Sequence, residues 1–268
     1  MDVSPLSAPN EPSLSRDLQN QLCRLVARVA QTLMQHGAET KLIEETSIRL
    51  GTCLGLEQVD MAITANAIVI TGRVSGRCVT TTRRVYDRGL NMQMVCEVQR
   101  LTIMAEKHLL DAAQVEQRLN NLVPLKYPRW VIVVMVGLSC ASFAAQFGGS
   151  LPVCLNTFVA SSCAMAFRQS MGKRHHSPMV NFCLTAFVAT MIAGVATTFH
   201  LGRHPEIAQA ASVLLLIPGF PLINAVSDLV KGHINMGIAR WFFASLLTLS
   251  AAVGVSFAMW LGHLWGLW

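Results

Sequence analysis

"LLLIPGFPLINAVSDLVKGHINMGIAR", residues 214–240, opens as the second half of an apolar helix, then places Pro218, Gly219 and Pro221 in its middle and Asn224 and Asp228 on its way out. Proline has no N–H, so Pro218 cannot donate to the carbonyl of Leu214, nor Pro221 to that of Ile217, and the segment is predicted to carry two freed acceptors. Positions 214, 217, 221, 224 and 228 follow helical spacing, which puts those carbonyls, the Asn224 amide and the Asp228 carboxylate on one face. Lipid satisfies none of them; they need protein donors, a watery cavity or a ligand, and a broken helix with polar groups on one face is a recurring way to build a transport site. A kinked structural helix with an end-capping aspartate is the plainer alternative.

The surroundings put this segment in a membrane. The 268 residues are 52% hydrophobic and 13% charged, and the charge is unevenly shared: residues 1–129 hold 15 Lys/Arg and 13 Asp/Glu, residues 130–268 only 6 and 2. Five apolar runs follow residue 129, near 130–148, 150–167, 180–199, 207–227 and 241–262, each of about the 17–25 residues that a helix needs to cross the hydrocarbon core. With residues 16–123 in the cytoplasm, Lys126, Arg129, Arg168, Lys173, Arg174, Lys231 and Arg240 lie inside and Arg203 outside, which obeys the positive-inside rule and sends the C-terminus outside. The net charge of +6 is then a topology signal; no dense basic run with interleaved aromatics points to nucleic acid.

Ahead of the spans, residues 1–15 read as a disordered lead-in without the basic and apolar regions of a secretory signal. Residues 16–123 read as an α+β domain. Helical periodicity from Leu18 to Met34 stops at Gly37, and a second helix from about Lys41 to Leu50 stops at Gly51. A Val/Ile/Thr-rich stretch then gives a hairpin of Ala67–Thr71 and Arg77–Thr82, punctuated by Gly72 and Gly76, before helical pattern resumes over Gly89–Leu119. Residues 124–129 form a linker between Pro124 and Pro128, and Lys126, Tyr127, Arg129 and Trp130 form an interfacial anchor. The fold class is thus an α-helical polytopic membrane protein of five transmembrane helices with an N-terminal cytoplasmic α+β domain. Small residues four apart (Ala141/Ala145, Ala160/Ala164, Ala189/Ala193, Gly254/Ala258) suit close helix packing in lipid.

Depth separates the candidate site residues. With Pro218 at the midplane, Asn224 is about 9 Å and Asp228 about 15 Å along the helix, so Asn224 is placed to touch substrate and Asp228 to act as an interfacial gate or proton site. His233 and Arg240, with Lys231, bring positive charge to the cytoplasmic mouth, where it concentrates an anion, and Arg240 can pair with Asp228 or a carboxylate ligand. Asp87, Arg88 and Asn91 around Gly89 read as a turn and helix start with a local ion pair; no nucleophile, base and orienter come together, so the chain does not read as an enzyme. No phosphate-binding loop is present for an ATP-driven pump, the eight cysteines lack a CxxC pair, and His175-His176 reads as a solvated loop, so neither cofactor nor metal is expected.

"QHGAET" (35–40), "TANAIVIT" (64–71), Asp87-Arg88-Gly89 with Asn91, "KYPRW" (126–130), "GLSCASF" (137–143), "NFCLTAF" (181–187) and, above all, residues 211–241 resemble the threonine/serine exporter family, from about residue 17 to the C-terminus. Within it the chain is similar to the large subunit of the branch in which the exporter is split in two. That resemblance implies an inner-membrane secondary transporter that works with a small YjjB-type membrane subunit, leaves room for a higher oligomer, and moves a small carboxylate, succinate in the split branch and threonine or serine in fused relatives. It carries over no set of binding residues. Two rivals remain: a membrane-anchored hydrolase acting through the soluble domain, and a scaffold whose small partner forms the pore.

Overall fold

The computed structural model describes residues 15–173 and 177–266; the lead-in up to residue 14 and the Arg174–His176 stretch lie outside the described residues. Over the described residues the chain is mostly helical, with one three-stranded sheet, and divides into two compact units. The first runs to Leu125 and takes in Asn224–Ala239; the second comprises Lys126–Ile223 and Arg240 onward.

In the first unit, α1 (Arg16–Gln35) is the hub. Ser15 caps it, accepting from the Leu18 N–H at 3.3 Å, and its apolar stripe of Leu22, Val26, Val29 and Leu33 is buried, each side chain worth about 1.5–3 kcal/mol of burial. Against it lie α2 (Thr40–Cys53) and an antiparallel meander of β1 (Gln58–Ile63), β2 (Ala67–Val74) and β3 (Arg77–Arg84). Strand β2 alternates, with Ile68, Ile70 and Val74 turned to the core. Helices α3 (Met92–Glu106) and α4 (Ala112–Asn120) complete the unit.

Two glycines expected to break elements turn out to be packing positions. Gly51 lies inside α2, where an added Cβ would meet Val59 Cγ2 at 2.6 Å; the helix ends later, near Gly55 at φ +104°. Gly72 lies inside β2, where an added Cβ would come within 2.5 Å of Cys23 Sγ, so its missing side chain is what lets α1 approach the sheet. The strands therefore run longer than expected and turn at Ser75-Gly76, both at positive φ (+48° and +75°) as a two-residue hairpin requires. The long helical stretch expected before residue 119 is split at Lys107–Asp111, where Asp111 and Gln114 form a capping box that starts α4.

The second unit contains α5 (Arg129–Gln146), α6 (Leu151–Lys173), α7 (Pro178–Ala193), the short α8 (Val195–Thr198), α9 (Glu206–Val213), the start of α10 (Gly219–Val230) and most of α11 (Ile234–Leu264). Among the described residues four helices are long and apolar enough to cross a membrane: Arg129–Gln146, Leu151–Lys173, Pro178–Thr198 and Ile234–Leu264; a bent pair, Glu206–Leu216 with Gly219–Val230, makes a fifth if counted as one span. Their contacts are made by small residues: Ala160, Ala164, Ala189, Ala193, Ala208 and Ala258 have no exposed surface, and a Cβ on Gly254 would collide with the backbone of Cys183. The Ala141/Ala145 pair does not share this role, since Ala145 is exposed while Gly137, Cys140 and Ala144 face inward on the same helix. Outward the unit shows Met135, Leu138, Leu155, Val159, Phe242, Phe257 and Trp260, a surface suited to lipid rather than water. Helix α11, with 31 residues, is about 46 Å long, more than a hydrocarbon core of about 30 Å, and its first turn belongs to the first unit, where Met236 is in the core.

Candidate functional site

The break expected at Pro218 is present, but its hydrogen bonding differs from expectation. After α9 the chain tightens into a 3₁₀ turn, Leu214–Leu216, then Ile217 extends (φ −69°, ψ 118°), as the residue before a proline must, and the two helical pieces meet at 56°. The tightening supplies partners to the two carbonyls that were expected to be free: Ile217 N–H donates to Leu214 O at 3.2 Å, and Gly219 N–H to Ile217 O at 2.8 Å. Pro221 sits in the first turn of α10, where a missing N–H costs little. The carbonyl that draws an outside donor is Leu215 O, which accepts from Arg168 Nη1 at 3.4 Å. Arg168 rises from α6 with its guanidinium carbon 4.5 Å from the Phe182 ring centroid, and Asn181 Nδ2 donates to its backbone O at 3.3 Å. Gly219 has nothing within 4 Å of where a Cβ would be, so open space adjoins the start of α10.

The same unit buries polar atoms that have no hydrogen-bond partner among the described residues: Ser162 Oγ on α6, Thr190 Oγ1 on α7, Thr197 Oγ1 on α8 and Gln209 Nε2 on α9. Buried donors and acceptors of this kind are expensive unless water or a ligand meets them.

Asn224 and Asp228, which the sequence places facing a substrate path, lie in the first unit and are committed to the turn between α1 and α2. The Asn224 amide donates to Gly37 O at 2.9 Å. Asp228 has no exposed surface; its carboxylate accepts from the Thr40 N–H at 3.0 Å and from the Thr40 hydroxyl at 2.9 Å, among its partners. Thr40 is the first residue of α2, and Glu39 before it makes no side-chain cap, so Asp228 caps α2 from 188 residues away and places negative charge at the positive end of its dipole. Nearby, Lys231 pairs with Glu39, and His233 Nε2 lies 3.5 Å from Glu44 Oε2. Lys231, expected to attract an anion, is therefore already paired with a carboxylate, and His233 has the Glu44 carboxylate beside it. Helix α10 ends at Val230 and the chain turns at Gly232 (φ +88°), with His233 N–H donating to Asp228 O at 2.8 Å, and Gly237 lets α11 turn back, since a Cβ there would meet Ala225 O at 2.9 Å. Arg240 is half-buried on α11 in the second unit and has a partner of its own.

Asp87, Arg88 and Asn91 form a turn and helix start. Asp87 Oδ1 accepts from Gly89 N–H at 2.8 Å, Gly89 is at φ +85°, Arg88 N–H donates to Gln35 O, and Asn91 Oδ1 caps α3 through Met94 N–H at 3.2 Å. Among the described residues no ion pair joins Asp87 to Arg88; the backbone makes the turn. The sequence alone singles out none of Gly37, Thr40 and Arg168 as site residues. Arg168 carries a signal, since it is an arginine inside an apolar helix, although its charge reads equally well as part of a basic loop; Thr40 carries none, because its partner lies 188 residues on.

The sequence profile of the threonine/serine exporter (ThrE) family matches residues 24–262. The chain is 50% identical, over 95% of its length and 98% of the relative's, to the "Probable succinate transporter subunit YjjP" of Escherichia coli K12, and 52% identical to the protein of that name from Klebsiella aerogenes, over 93% and 96%. It is 23% identical to the "Probable threonine/serine exporter" of Mycobacterium tuberculosis, covering 86% of this chain and 44% of that one. No solved structure matches it significantly.

Proposed function

The chain belongs to the threonine/serine exporter (ThrE) family, and from that premise we propose that it is the large subunit of a bacterial inner-membrane exporter of small carboxylates, succinate first among them. The observation that carries this reading is 50% identity across 98% of a relative whose name includes succinate transporter subunit; the relative named for threonine and serine is less than half as similar. The word subunit in that name supports a second chain, for which a small YjjB-type membrane protein is our candidate.

In this proposal the first unit is cytoplasmic and the C-terminus periplasmic, as the basic loops suggest. The substrate passes the break at Pro218, Gly219 and Pro221. Arg168 suits a carboxylate there: its guanidinium offers five N–H donors, of which Leu215 O takes one, and the Phe182 ring holds the planar group in place. Ser162, Thr190, Thr197 and Gln209 supply neutral hydrogen-bonding groups to a hydrated route. Asn224 and Asp228 serve in docking. They hold the helix that follows the break to the α1–α2 turn, so that a movement of α2 is felt by α10.

A bacterial strain lacking its own succinate export tests this. Producing the chain together with the small subunit should restore succinate efflux, and Arg168→Gln should remove it with the protein still in the membrane. Restored threonine or serine efflux without succinate efflux would move the substrate assignment; no efflux of any of the three, with both chains inserted, would overturn the reading.

A further inference from the structure

The loop Val85–Asn91 turns apolar side chains outward that nothing in the fold requires. Tyr86 is 60% exposed, Leu90 55% and Met92, the first residue of α3, 40%, whereas Val85 points to the core. The shape of the loop comes from backbone bonds and the Asp87–Gly89 turn, so water-facing polar residues would serve equally well at 86 and 90. Basic groups flank it. Arg84 lies with its guanidinium 4.9 Å from the Tyr86 ring, Arg88 is exposed, and neither has an ion-pair partner among the described residues.

Hydrogen bonds tie this loop to two segments of the first unit. Asn91, between Leu90 and Met92, donates through Nδ2 to Leu125 O at 3.3 Å, and Leu125 N–H donates to Gln93 Oε1 at 3.1 Å. Val123 and Leu125, 74% and 73% exposed, thus run beside the loop, and four residues after Leu125 the chain begins α5. On the other side Arg88 N–H bonds Gln35 O and Asn91 N–H bonds His36 O, the same turn whose Gly37 O receives Asn224 of α10. Within the first unit the loop is therefore tied to the segment that leads in sequence to α5 and to the turn that receives Asn224, and residues 84–92 present an aromatic, two apolar side chains and two arginines.

That combination suits a headgroup interface: amphipathic rings and aliphatic side chains settle about 5–10 Å into the headgroup and acyl boundary, and arginines meet anionic lipid. We propose that residues 84–92, with Val123 and Leu125, form a second, monotopic anchor that seats the first unit on the anionic surface of the cytoplasmic leaflet. This rests on the reading of the apolar helices as spans and the first unit as cytoplasmic.

The test uses the full chain in vesicles of phosphatidylethanolamine and phosphatidylglycerol, with all eight native cysteines, buried Cys23 and Cys140 included, replaced by serine or alanine. A single cysteine carrying an environment-sensitive NBD dye is introduced as Leu90→Cys, as Asp60→Cys on exposed β1, or as Leu249→Cys on the outward face of α11. Lipids bearing a shallow nitroxide should quench the Leu90 dye by about half, as expected for a group at the headgroup boundary, and leave the Asp60 dye unchanged. Adding Arg84→Gln and Arg88→Gln, or omitting phosphatidylglycerol, should weaken that quenching. A Leu90 dye as unquenched as the Asp60 dye would overturn the anchor. So would a dye shielded from water but unquenched by lipid, and only when the small subunit or a second copy is bound, because the patch would then be a protein interface. With a nitroxide deep in the acyl chain instead, a Leu249 dye that the lipid does not quench would sink the span reading and the anchor together.

Discussion

Replacing Asp228 by alanine should loosen the start of α2 rather than α10 itself. The side chain has no exposed surface, and its carboxylate is the acceptor for both the N–H and the hydroxyl of Thr40, at 3.0 and 2.9 Å. Hydrogen bonds to a charged partner are worth about 1.5–3 kcal/mol each, and the truncation leaves two donors without that acceptor, so a cost of about 3–6 kcal/mol is expected at this site. Every 1.4 kcal/mol is about tenfold, so exchange of the first α2 amides with solvent deuterium should quicken about 100- to 20,000-fold, while amides in the middle of α1 change little. Asp228→Asn keeps one acceptor oxygen and should show about half the free-energy effect. Thr40→Val removes the hydroxyl alone. In a double-mutant cycle with Asp228→Ala it should give a coupling of about 1–2 kcal/mol; strict additivity, within about 0.3–0.5 kcal/mol, would refute the claim that these two residues hold α2 together.

Three further outcomes follow from the same geometry. Gly72→Ala should destabilise the first unit by about 1–3 kcal/mol because its Cβ needs the space of Cys23 Sγ, whereas Gly219→Ala, with nothing within 4 Å, should leave thermal stability in detergent within about 0.5 kcal/mol. Cys23 should resist maleimide in the native protein while exposed Cys78 and Cys96 react: burial raises the Cys23 thiol above its ordinary range, so the reactive thiolate is scarcer at neutral pH, and labelling should rise only on unfolding. Arg168→Lys keeps the charge but loses the planar fork, so succinate efflux should fall less than with Arg168→Gln but should not return to normal; full activity of both variants would exclude Arg168 from the path.

Much of the membrane half is legible in the sequence because lipid imposes a simple rule. A stretch such as Trp130–Gly148 must be apolar for its whole length to cross, and that shows in the letters. The break is legible for a similar reason, since Pro218 cannot continue a helix. How the break is repaired is not legible: the 3₁₀ turn at Leu214–Leu216 depends on backbone adjustments that no residue type announces. Glycine misleads at Gly51 and Gly72 because the absence of a Cβ serves equally for a turn and for close approach, and only the neighbours, Val59 and Cys23, tell which applies. Asn224 and Asp228 stand out as polar residues in an apolar segment, but periodicity gives the face on which they lie and not what meets it. Their partners, Gly37 and Thr40, stand nearly 190 residues earlier, and the chain itself carries no mark of that pairing.

The most direct test of the transport claim is succinate release from loaded proteoliposomes that contain this chain with and without the small membrane subunit, under an imposed pH gradient, with threonine and serine as parallel cargoes. The account predicts succinate release that needs both chains and is lost with Arg168→Gln. Release by the small subunit alone at the full rate, or no release of any cargo with both chains correctly inserted, would contradict it.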